Sequence, residues 1–420
     1  MPLPAECHNV WVRVLISAGE ASGEMYGAQL IGALHRVAGK LLPGSAPVFP
    51  TEGESGTLKR NARHTTEATE LEVFGVGGDR MRAAGFDAVV DARELAVVGI
   101  TEILGHLPRI YRLFARLIAE ADKRRPDVAV VIDSPAFNWR VAREMHKRGI
   151  PVVYYVCPQF WAWRQRRVRL LRNYVDKALV IFPFEQQFYR DRGVDATFIG
   201  HPLADVPLPR IARASYAAEY GLDPAKPWIT LMPGSRVKEV RMNLPTILEA
   251  GAELGRNYEF LLPVAATLSR DWLESLIGDR VPIHPVKESL PALAHSRAGI
   301  IASGTATVEA AIVGAPFVMV YRVSPLTYVL GRPWVKVPYL AMVNLIAGRE
   351  VVPELIQGDF SAPRVVLKLR EILADGPGRT KMVEGLEEVR QSLRAPDRSS
   401  ASPAERAAET IFSLWQEHKG

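Results

Sequence analysis

Two short polar segments in the first half of the chain follow apolar runs that predict β-strands. Residues 17–24 read SAGEASGE, and their small side chains would let backbone amides approach a ligand closely. Residues 133–138 read DSPAFN, which places the Asp133 carboxylate directly after a strand. A carboxylate at that position can act as a general base for an attacking hydroxyl. The pattern alone also allows a purely structural role for each segment: residues 17–24 can form a tight strand-to-helix turn, and Asp133 can cap a helix.

Two further turns, in the second half of the chain, have residue types that suit a diphosphate. The first follows the strand-like run 228–232 and offers Gly234, Ser235 and Arg236, which combine amides, a hydroxyl and a guanidinium. The second follows the run 299–302 and opens a helix; its residues are Ser303, Gly304, Thr305, Ala306 and Glu309. Helix N-terminal amides bind phosphate, and Glu309 can accept hydrogen bonds from ribose. Gly-Ser turns are common, but two at successive strand ends of one sheet favour a nucleotide site.

Two segments mix apolar and basic side chains. Residues 161–169 read WAWRQRRVR, a pattern that can bind phospholipid headgroups or nucleic acid. Residues 97–114 have apolar side chains at helical spacing with arginines between them, as in a helix that lies in a membrane interface. The residues that would face the membrane are Val98, Ile103, Leu104, Leu107 and Ile110. A solvated basic face and an ordinary core-facing helix are the respective alternatives.

Composition excludes several classes of protein. The 420 residues are 48% hydrophobic and 23% charged, as in a globular protein, and the length favours two domains. No apolar run reaches the roughly 20 residues of a spanning helix, and the first residues do not resemble a secretory signal, so we expect a cytosolic protein. Two cysteines cannot form a disulfide framework. The net charge of +6 favours an anionic partner. No His pair or DxD motif predicts a metal site, and we expect no cofactor.

Strand-like runs alternate with helical patterns throughout, which predicts two doubly wound parallel sheets of the Rossmann-like α/β class. The runs are 12–16, 71–76, 128–132, 151–156 and 179–182 in the first half, and 228–232, 259–263, 299–302 and 316–321 in the second. Residues 202–227 contain five prolines, which predicts an interdomain connector there. We therefore expect domains at 1–205, with a surface insertion at 41–70, and at 206–375. Helices at 376–420 would pack back on an N-terminal domain, and Ser402 to Glu405 predicts a capped last helix.

Eight segments, in order along the chain, resemble the lipid-A-disaccharide synthase family. They are GEASG (19–23), AVVGITE (96–102), DSPAFN (133–138), WAWR (161–164), FIGHP (198–202), LMPGSR (231–236), ASGTA (302–306) and NLIAGRE (344–350). The resemblance covers residues 10 to 360. Three features depart from the family pattern: Glu24 stands where an Asp is usual, Ala136 stands where an Asp is frequent, and the insertion at 41–70 is longer than usual.

The resemblance implies a GT-B fold, in which two Rossmann-like domains face a cleft, and an inverting glycosyl transfer. UDP-2,3-diacylglucosamine would be the donor and 2,3-diacylglucosamine 1-phosphate the acceptor, joined as a β(1→6) disaccharide with loss of UDP. Asp133 would be the catalytic base. The donor residues would be Gly234, Ser235, Arg236, Ser303, Gly304, Thr305, Ala306, Glu309, Tyr321 and Asn344. The acceptor residues would be Gly19, Glu20, Ser22, Gly23, Asn138, Trp163 and Arg164.

The same resemblance implies peripheral attachment to the anionic inner face of the inner membrane of a Gram-negative-type bacterium. Nucleic acid would not be a partner, and a homodimer is compatible with the sequence. Two other functions remain as alternatives. One is another GT-B enzyme or epimerase that uses UDP-N-acetylglucosamine, which would share the two diphosphate turns. The other is a non-catalytic membrane-binding or nucleic-acid-binding module that uses the arginine run from Arg164 to Arg172.

Overall fold

The computed structural model describes residues 11–19, 21–41, 70–96, 103–278, 281–396 and 401–419. The chain divides into two compact units. Unit 1 takes in the chain up to residue 160, residues 165–202 and the chain from 395 onward; unit 2 consists of residues 161–164 and 203–394. The domain boundary expected at 205 thus lies close to the end of unit 1 at 202. The insertion at 41–70 lies outside the described residues, except for its two end residues.

Each unit contains one parallel sheet, so the two Rossmann-like sheets expected from the sequence are confirmed. The strands of unit 1 are β1 (Trp11–Ala18), β2 (Glu70–Gly77), β3 (Asp87–Asp91), β4 (Val128–Ile132), β5 (Val152–Tyr155), β6 (Lys177–Val180) and β7 (Ala196–Phe198). The strands of unit 2 are β8 (Trp228–Met232), β9 (Glu259–Pro263), β10 (Ile283–Val286), β11 (Ala298–Ala302), β12 (Phe317–Tyr321) and β13 (Glu354–Ile356). Each predicted strand overlaps one of these.

Helices connect the strands and cover the sheets. The first eight are α1 (Ala21–Leu41), α2 (Asp79–Ala83), α3 (Ala92–Ala96), α4 (Ile103–Arg124), α5 (Pro135–Lys147), α6 (Phe160–Trp163), α7 (Val168–Tyr174) and α8 (Pro183–Arg190). The next five are α9 (Arg213–Tyr220), α10 (Val237–Leu254), α11 (Arg270–Ile277), α12 (Ser289–His295) and α13 (Thr305–Val313). The last five are α14 (Pro325–Gly331), α15 (Met342–Ala347), α16 (Ala362–Leu373), α17 (Pro377–Ser392) and α18 (Pro403–Lys419). None of the described helices is long and apolar enough to cross a bilayer.

Both sheets reverse their strand order next to their first strand. The order is β3-β2-β1-β4-β5-β6-β7 in unit 1 and β10-β9-β8-β11-β12-β13 in unit 2. Helices on both faces require apolar residues on both sides of the central strands, and all five residues of β4 are buried. In open parallel sheets, ligands bind beyond the carboxyl ends of the strands where the order reverses. That position lies between β1 and β4 in unit 1, and between β8 and β11 in unit 2.

The two C-terminal helices belong to different units. Helix α17 lies in unit 2, where it packs against α13, α15 and α16, so the expected packing of residues 376–420 on an N-terminal domain is wrong for this helix. Helix α18 packs on α1 in unit 1. The predicted capping box at its start is confirmed: the Ser402 amide donates to the Glu405 carboxylate at 2.9 Å, and the Glu405 amide donates to Ser402 Oγ at 3.3 Å. Arg36 of α1 pairs with Glu405 at 3.0 Å.

Candidate active site

Asp133 lies at the carboxyl end of β4, beside the turn that follows β1. Ala18 is aligned with Ile132 across the β1–β4 pair, so the two strands end side by side. Asp133 and Ser134 both have left-handed backbone conformations, with φ of 48° and 44°. Such conformations cost on the order of 1–3 kcal/mol each in residues other than glycine, and they persist only where the surroundings hold them. Asp133 is half-buried, and its carboxylate accepts a hydrogen bond from Ser22 Oγ at 3.3 Å.

Asn138 and Tyr154 hold the Asp133 backbone in place. The Asp133 carbonyl accepts one hydrogen bond from Asn138 Nδ2 at 2.8 Å and another from the Tyr154 hydroxyl at 2.7 Å. Asn138 is fully buried, and it also donates to the Ile132 carbonyl at 2.8 Å and accepts from Ser17 Oγ at 2.7 Å. We predicted that Asn138 would contact the acceptor. The structure instead places its amide between β1 and β4, where it positions Asp133.

The turn after β1 approaches the Asp133 turn closely. A Cβ atom on Gly19 would lie 2.8 Å from Ser134 Oγ, so a larger residue there would displace the Ser134 side chain. Gly23 is buried, and a Cβ atom on it would lie 3.6 Å from the Ile132 carbonyl oxygen. Ser22 is exposed. The structure thus brings Gly19, Ser22 and Gly23 next to the candidate base. Glu20 lies outside the described residues.

Glu24, which departs from the family pattern, contacts protein backbone. Its carboxylate accepts a hydrogen bond from the Arg80 amide at 2.8 Å, in the first turn of α2. A Cβ atom on Gly78 would lie 2.6 Å from this carboxylate. Glu24 therefore caps a neighbouring helix, and its extra methylene relative to Asp is used for that reach.

Trp163 and Arg164 were expected in the N-terminal domain, but residues 161–164 group with unit 2. The Ala162 carbonyl accepts a hydrogen bond from the Lys336 amide at 2.9 Å. The Trp163 side chain is 48% exposed, and the Arg164 guanidinium stacks on its ring at 4.0 Å from the centroid. This exposed aromatic and basic pair is thus attached to the unit that carries the two diphosphate turns.

The first diphosphate turn follows β8. A carboxylate from the next helix contacts this turn, and the sequence did not indicate that contact. Glu239, in the first turn of α10, accepts a hydrogen bond from the Ser235 amide at 3.2 Å and pairs with Arg236 at 3.3 Å. The Arg236 side chain is 77% exposed. Asn243 supports the turn from below by donating to the Pro233 carbonyl at 2.9 Å. The turn therefore offers an exposed guanidinium, while Glu239 occupies one of the amides that we expected to bind phosphate.

The second turn follows β11 and opens α13. The sequence interpretation placed the two turns at successive strands, but β9 and β10 come between β8 and β11 along the chain; in the sheet, β8 and β11 are neighbours. Gly304 has φ of 139°, a conformation that only glycine adopts readily, and α13 begins there without a side-chain cap. Thr305 is exposed and Ala306 half-buried. Ser303 Oγ donates to the Leu340 carbonyl at 2.8 Å, so this hydroxyl serves the loop before α15.

Glu309 lies in α13, and Tyr321 is the last residue of β12, the strand next to β11. Burial raises the pKa of Glu309, and a hydrogen bond from Ser289 Oγ at 2.5 Å opposes this rise. Burial also raises the pKa of Tyr321; the Glu239 carboxylate raises it further and Arg236 lowers it.

Asn344 was predicted to bind the donor, but it is fully buried, with its side-chain amide engaged by the protein. Its Oδ1 accepts from the Val351 and Val352 amides at 2.8 and 3.0 Å, and its Nδ2 donates to the Val352 carbonyl and to Glu354. Glu354 also accepts from the Leu340 and Ala341 amides at the start of α15. Asn344 therefore fixes a loop. The sequence did not reveal Glu354, because a single carboxylate on a short strand carries no distinctive pattern.

Helix α4 contains most of the segment expected at the membrane. Ile110 is half-buried and packs against the core of unit 1, as do Phe114 and the buried Leu113 and Leu117. Val98 and the side chains of Ile103, Leu104 and Leu107 lie outside the described residues. The part of the helix from Ile110 onward therefore faces the core.

The described residues contain no cluster of three or more His, Cys, Asp or Glu side chains placed to hold a metal ion. Arg236 is an exposed cation at the first diphosphate turn, and the exposed Lys238 follows it in the first turn of α10.

Comparison with known proteins identifies the family. A family model described as lipid-A-disaccharide synthetase matches residues 52–408. A lipid-A-disaccharide synthase from Koribacter versatilis is 50% identical over 409 residues, covering 96% of this chain and 99% of its own. The chain belongs to the lipid-A-disaccharide synthase family. A second member, from Acidobacterium capsulatum, is 46% identical and covers 95% of this chain and 96% of its own. The enzyme is thus a glycosyltransferase of lipid A biosynthesis.

Solved structures show that the fold is GT-B. The S. aureus protein MnaA, in a co-structure with UDP, matches with a TM-score of 0.62 at 11% identity, covering 96% of this chain and 97% of that one. A putative UDP-N-acetylglucosamine 2-epimerase from Listeria monocytogenes gives a TM-score of 0.60 at 13% identity, with 98% and 97% covered. The calicheamicin glycosyltransferase gives 0.57 at 14% identity, with 97% and 99% covered. At these identities the likeness concerns the fold alone.

Proposed function

We propose that the enzyme joins UDP-2,3-diacylglucosamine to 2,3-diacylglucosamine 1-phosphate, giving the β(1→6) disaccharide 1-phosphate and UDP. Family membership over nearly the whole chain supports this reaction. The observation that carries it is the position of Asp133, at the strand-order reversal of unit 1 and in a strained backbone held by two hydrogen bonds. Strained residues held in this way are typical of active sites.

Asp133 would act as the general base. As the acceptor 6-hydroxyl attacks the anomeric carbon, the Asp133 carboxylate takes its proton and the bond to UDP breaks. A single displacement of this kind inverts the anomeric configuration. Ser22, which donates to the carboxylate at 3.3 Å, would orient it towards the acceptor. Gly19 and Gly23 would let the turn after β1 lie close to the Asp133 turn.

Unit 2 would bind the donor. Arg236 would neutralise the diphosphate, together with the N-terminal amides of α13 at Gly304, Thr305 and Ala306. Glu309 would accept a hydrogen bond from the ribose. Glu239 engages the Ser235 amide and Nη1 of Arg236, so a diphosphate can bind the other Arg236 N–H donors or displace this pair. An ion pair with so exposed an arginine is weak, about 0–1 kcal/mol, so its release costs little.

Both substrates carry acyl chains, which favours work at a bilayer surface. We infer that the enzyme is cytosolic and attaches reversibly to the anionic inner face of the inner membrane, with the N-terminal part of the 97–114 segment at the interface. The net charge of +6 supports this attachment.

Replacing Asp133 tests the proposed function. Asp133→Asn keeps the side-chain shape and removes the base, so turnover should fall by about two to four orders of magnitude. UDP affinity, measured by calorimetry, should stay unchanged because the nucleotide binds unit 2. Asp122→Asn, which alters an exposed ion pair of unit 1, is the matched control and should leave turnover intact. Activity of Asp133→Asn within a few fold of the wild type would refute the assignment of the base.

A further inference from the structure

An exposed apolar surface lies on unit 2, in helix α14 and the turn after it. Leu326, Val329 and Leu330 are 70%, 67% and 63% exposed, and their spacing puts them on one face of the helix. Trp334 and Val335 follow in the next turn and are 64% and 40% exposed. We call these five side chains the α14 surface. An exposed apolar cluster of this kind marks an interaction site on a folded protein.

The segment that carries the α14 surface is held firmly at both ends. At its start, the Val323 amide donates to Gln357 at 2.7 Å, and Arg322 donates to Thr246 at 2.7 Å. At its end, the Leu340 amide donates to the Glu354 carboxylate at 2.9 Å. Inside it, Ser324 caps α14 by accepting from the Thr327 amide at 3.2 Å. The apolar side chains are thus displayed by a segment that hydrogen bonds anchor at both ends.

In the sequence on either side of the α14 surface, all charged residues are basic. Between Glu309 and Glu350 the sequence contains no Asp or Glu, whereas Arg332 and Lys336 fall within and directly after the surface. Through its amide, Lys336 is hydrogen bonded to Ala162, which brings the exposed Trp163 and its stacked Arg164 to the same segment. Aromatic, aliphatic and cationic side chains without carboxylates match the chemistry of an anionic lipid interface.

We propose that the α14 surface binds the surface of an anionic lipid bilayer. This contact would belong to unit 2 and would add to the contact proposed for the 97–114 segment of unit 1. The proposal rests on the proposed function in one respect, that the enzyme works at a membrane. The apolar side chains protrude into solvent, so they suit shallow insertion between headgroups better than enclosure of an acyl chain. Arg332 and Lys336 would then contact lipid phosphates.

Vesicle binding tests the proposal. The full-length enzyme is sedimented with phosphatidylcholine vesicles that contain or lack phosphatidylglycerol. Replacing Leu326, Val329 and Leu330 with Ser should lower the partition coefficient on anionic vesicles by about tenfold or more. The charge variant Arg332→Glu with Lys336→Glu should weaken binding to anionic vesicles and leave binding to neutral ones unchanged. A matched control replaces three exposed apolar residues elsewhere in unit 2, Leu276, Leu367 and Val383, with Ser and should bind like the wild type.

Further measurements separate this proposal from its alternatives. UDP affinity and transfer to substrates in detergent micelles should be unchanged in the α14 variants, because these assays report the proposed function and need no bilayer. Unchanged vesicle binding in both α14 variants would overturn the proposal. So would a loss that the control triple variant shares, or a sedimentation-velocity shift showing that the α14 surface joins two copies of the chain while vesicle binding stays the same.

Discussion

At the scale of single residues, the polar side chains of the motifs fall into two groups. The Asp133 side chain is half-buried and the Arg236 side chain is exposed, so both keep surface that a ligand can contact. Asn138 and Asn344 are buried and hydrogen bonded to protein atoms: Asn138 positions Asp133, and Asn344 fixes the loop at Val351 and Val352. The sequence revealed the residue types in both groups. It could not distinguish the exposed group from the buried one, because burial depends on which strands become neighbours. Tyr154 was missed because its hydroxyl reaches Asp133 from another strand.

Arg236 should contribute directly to donor binding. Arg236→Ala removes a charge-assisted contact to the diphosphate, so the affinity for UDP should fall by about 1.5–3 kcal/mol. Calorimetric titration with UDP measures this change. Thermal stability should stay the same, since the side chain is exposed and its pair with Glu239 is weak. Arg270→Ala, at another exposed ion pair of unit 2, is the control. Equal UDP affinity in the wild type and Arg236→Ala would assign Arg236 a role outside the donor site.

His201, in the FIGHP segment, should make the stability of the enzyme sensitive to acid. Burial lowers the pKa of His201 to about 3, so the folded protein keeps it neutral while the unfolded chain takes up a proton below about pH 6.5. The unfolded state therefore gains protons first, and stability falls as the pH drops from about 6.5 towards 3. At about pH 5 the loss from this group should be about 2 kcal/mol. Denaturant unfolding across this range should show a shallower acid slope for His201→Gln, and parallel slopes would contradict the assignment.

At the scale of secondary-structure elements, the sequence predicted the inner strands and missed the edge strands. The four strands without a prediction are β3, β7, β10 and β13, and these are the two edges of each sheet. Inner strands are apolar on both faces and read as continuous apolar runs. Edge strands are short and carry polar residues, as in β3 (DAVVD) and β13 (ELI), so their pattern resembles that of a loop.

Helix α4 should divide into a membrane-facing part and a core-facing part. Replacing Leu104 and Leu107 with Ser should weaken binding to anionic vesicles while the melting temperature stays the same, if this part lies in the interface. Ile110→Ser should instead lower the free energy of unfolding by about 1–2 kcal/mol, because Ile110 packs against the core of unit 1. Vesicle sedimentation and thermal unfolding of the two variants check both statements. A fall in melting temperature for Leu104→Ser with Leu107→Ser would assign the whole helix to the core.

At the scale of the whole molecule, the sequence predicted the fold class but not which turns would meet. The alternation of strands and helices was sufficient for two doubly wound sheets. The pairing of β8 with β11 was not predictable from local pattern, because two complete strand-helix repeats separate them along the chain. The same limit applies to residues 161–164, which lie within the first half of the sequence but pack in unit 2.

Metal independence is a prediction for the enzyme as a whole, because it depends on how the molecule neutralises the donor diphosphate. The exposed Arg236 guanidinium and the uncapped N-terminus of α13 supply positive charge and amide donors in unit 2. Turnover should therefore persist unchanged in excess EDTA, with UDP release followed directly by chromatography so that no metal-dependent coupling enzyme is needed. Calorimetry with UDP in EDTA and in magnesium should give the same affinity. If EDTA abolished turnover and added magnesium restored it, the diphosphate would be bound through a metal ion, and the roles given to Arg236 and α13 would have to be reassigned.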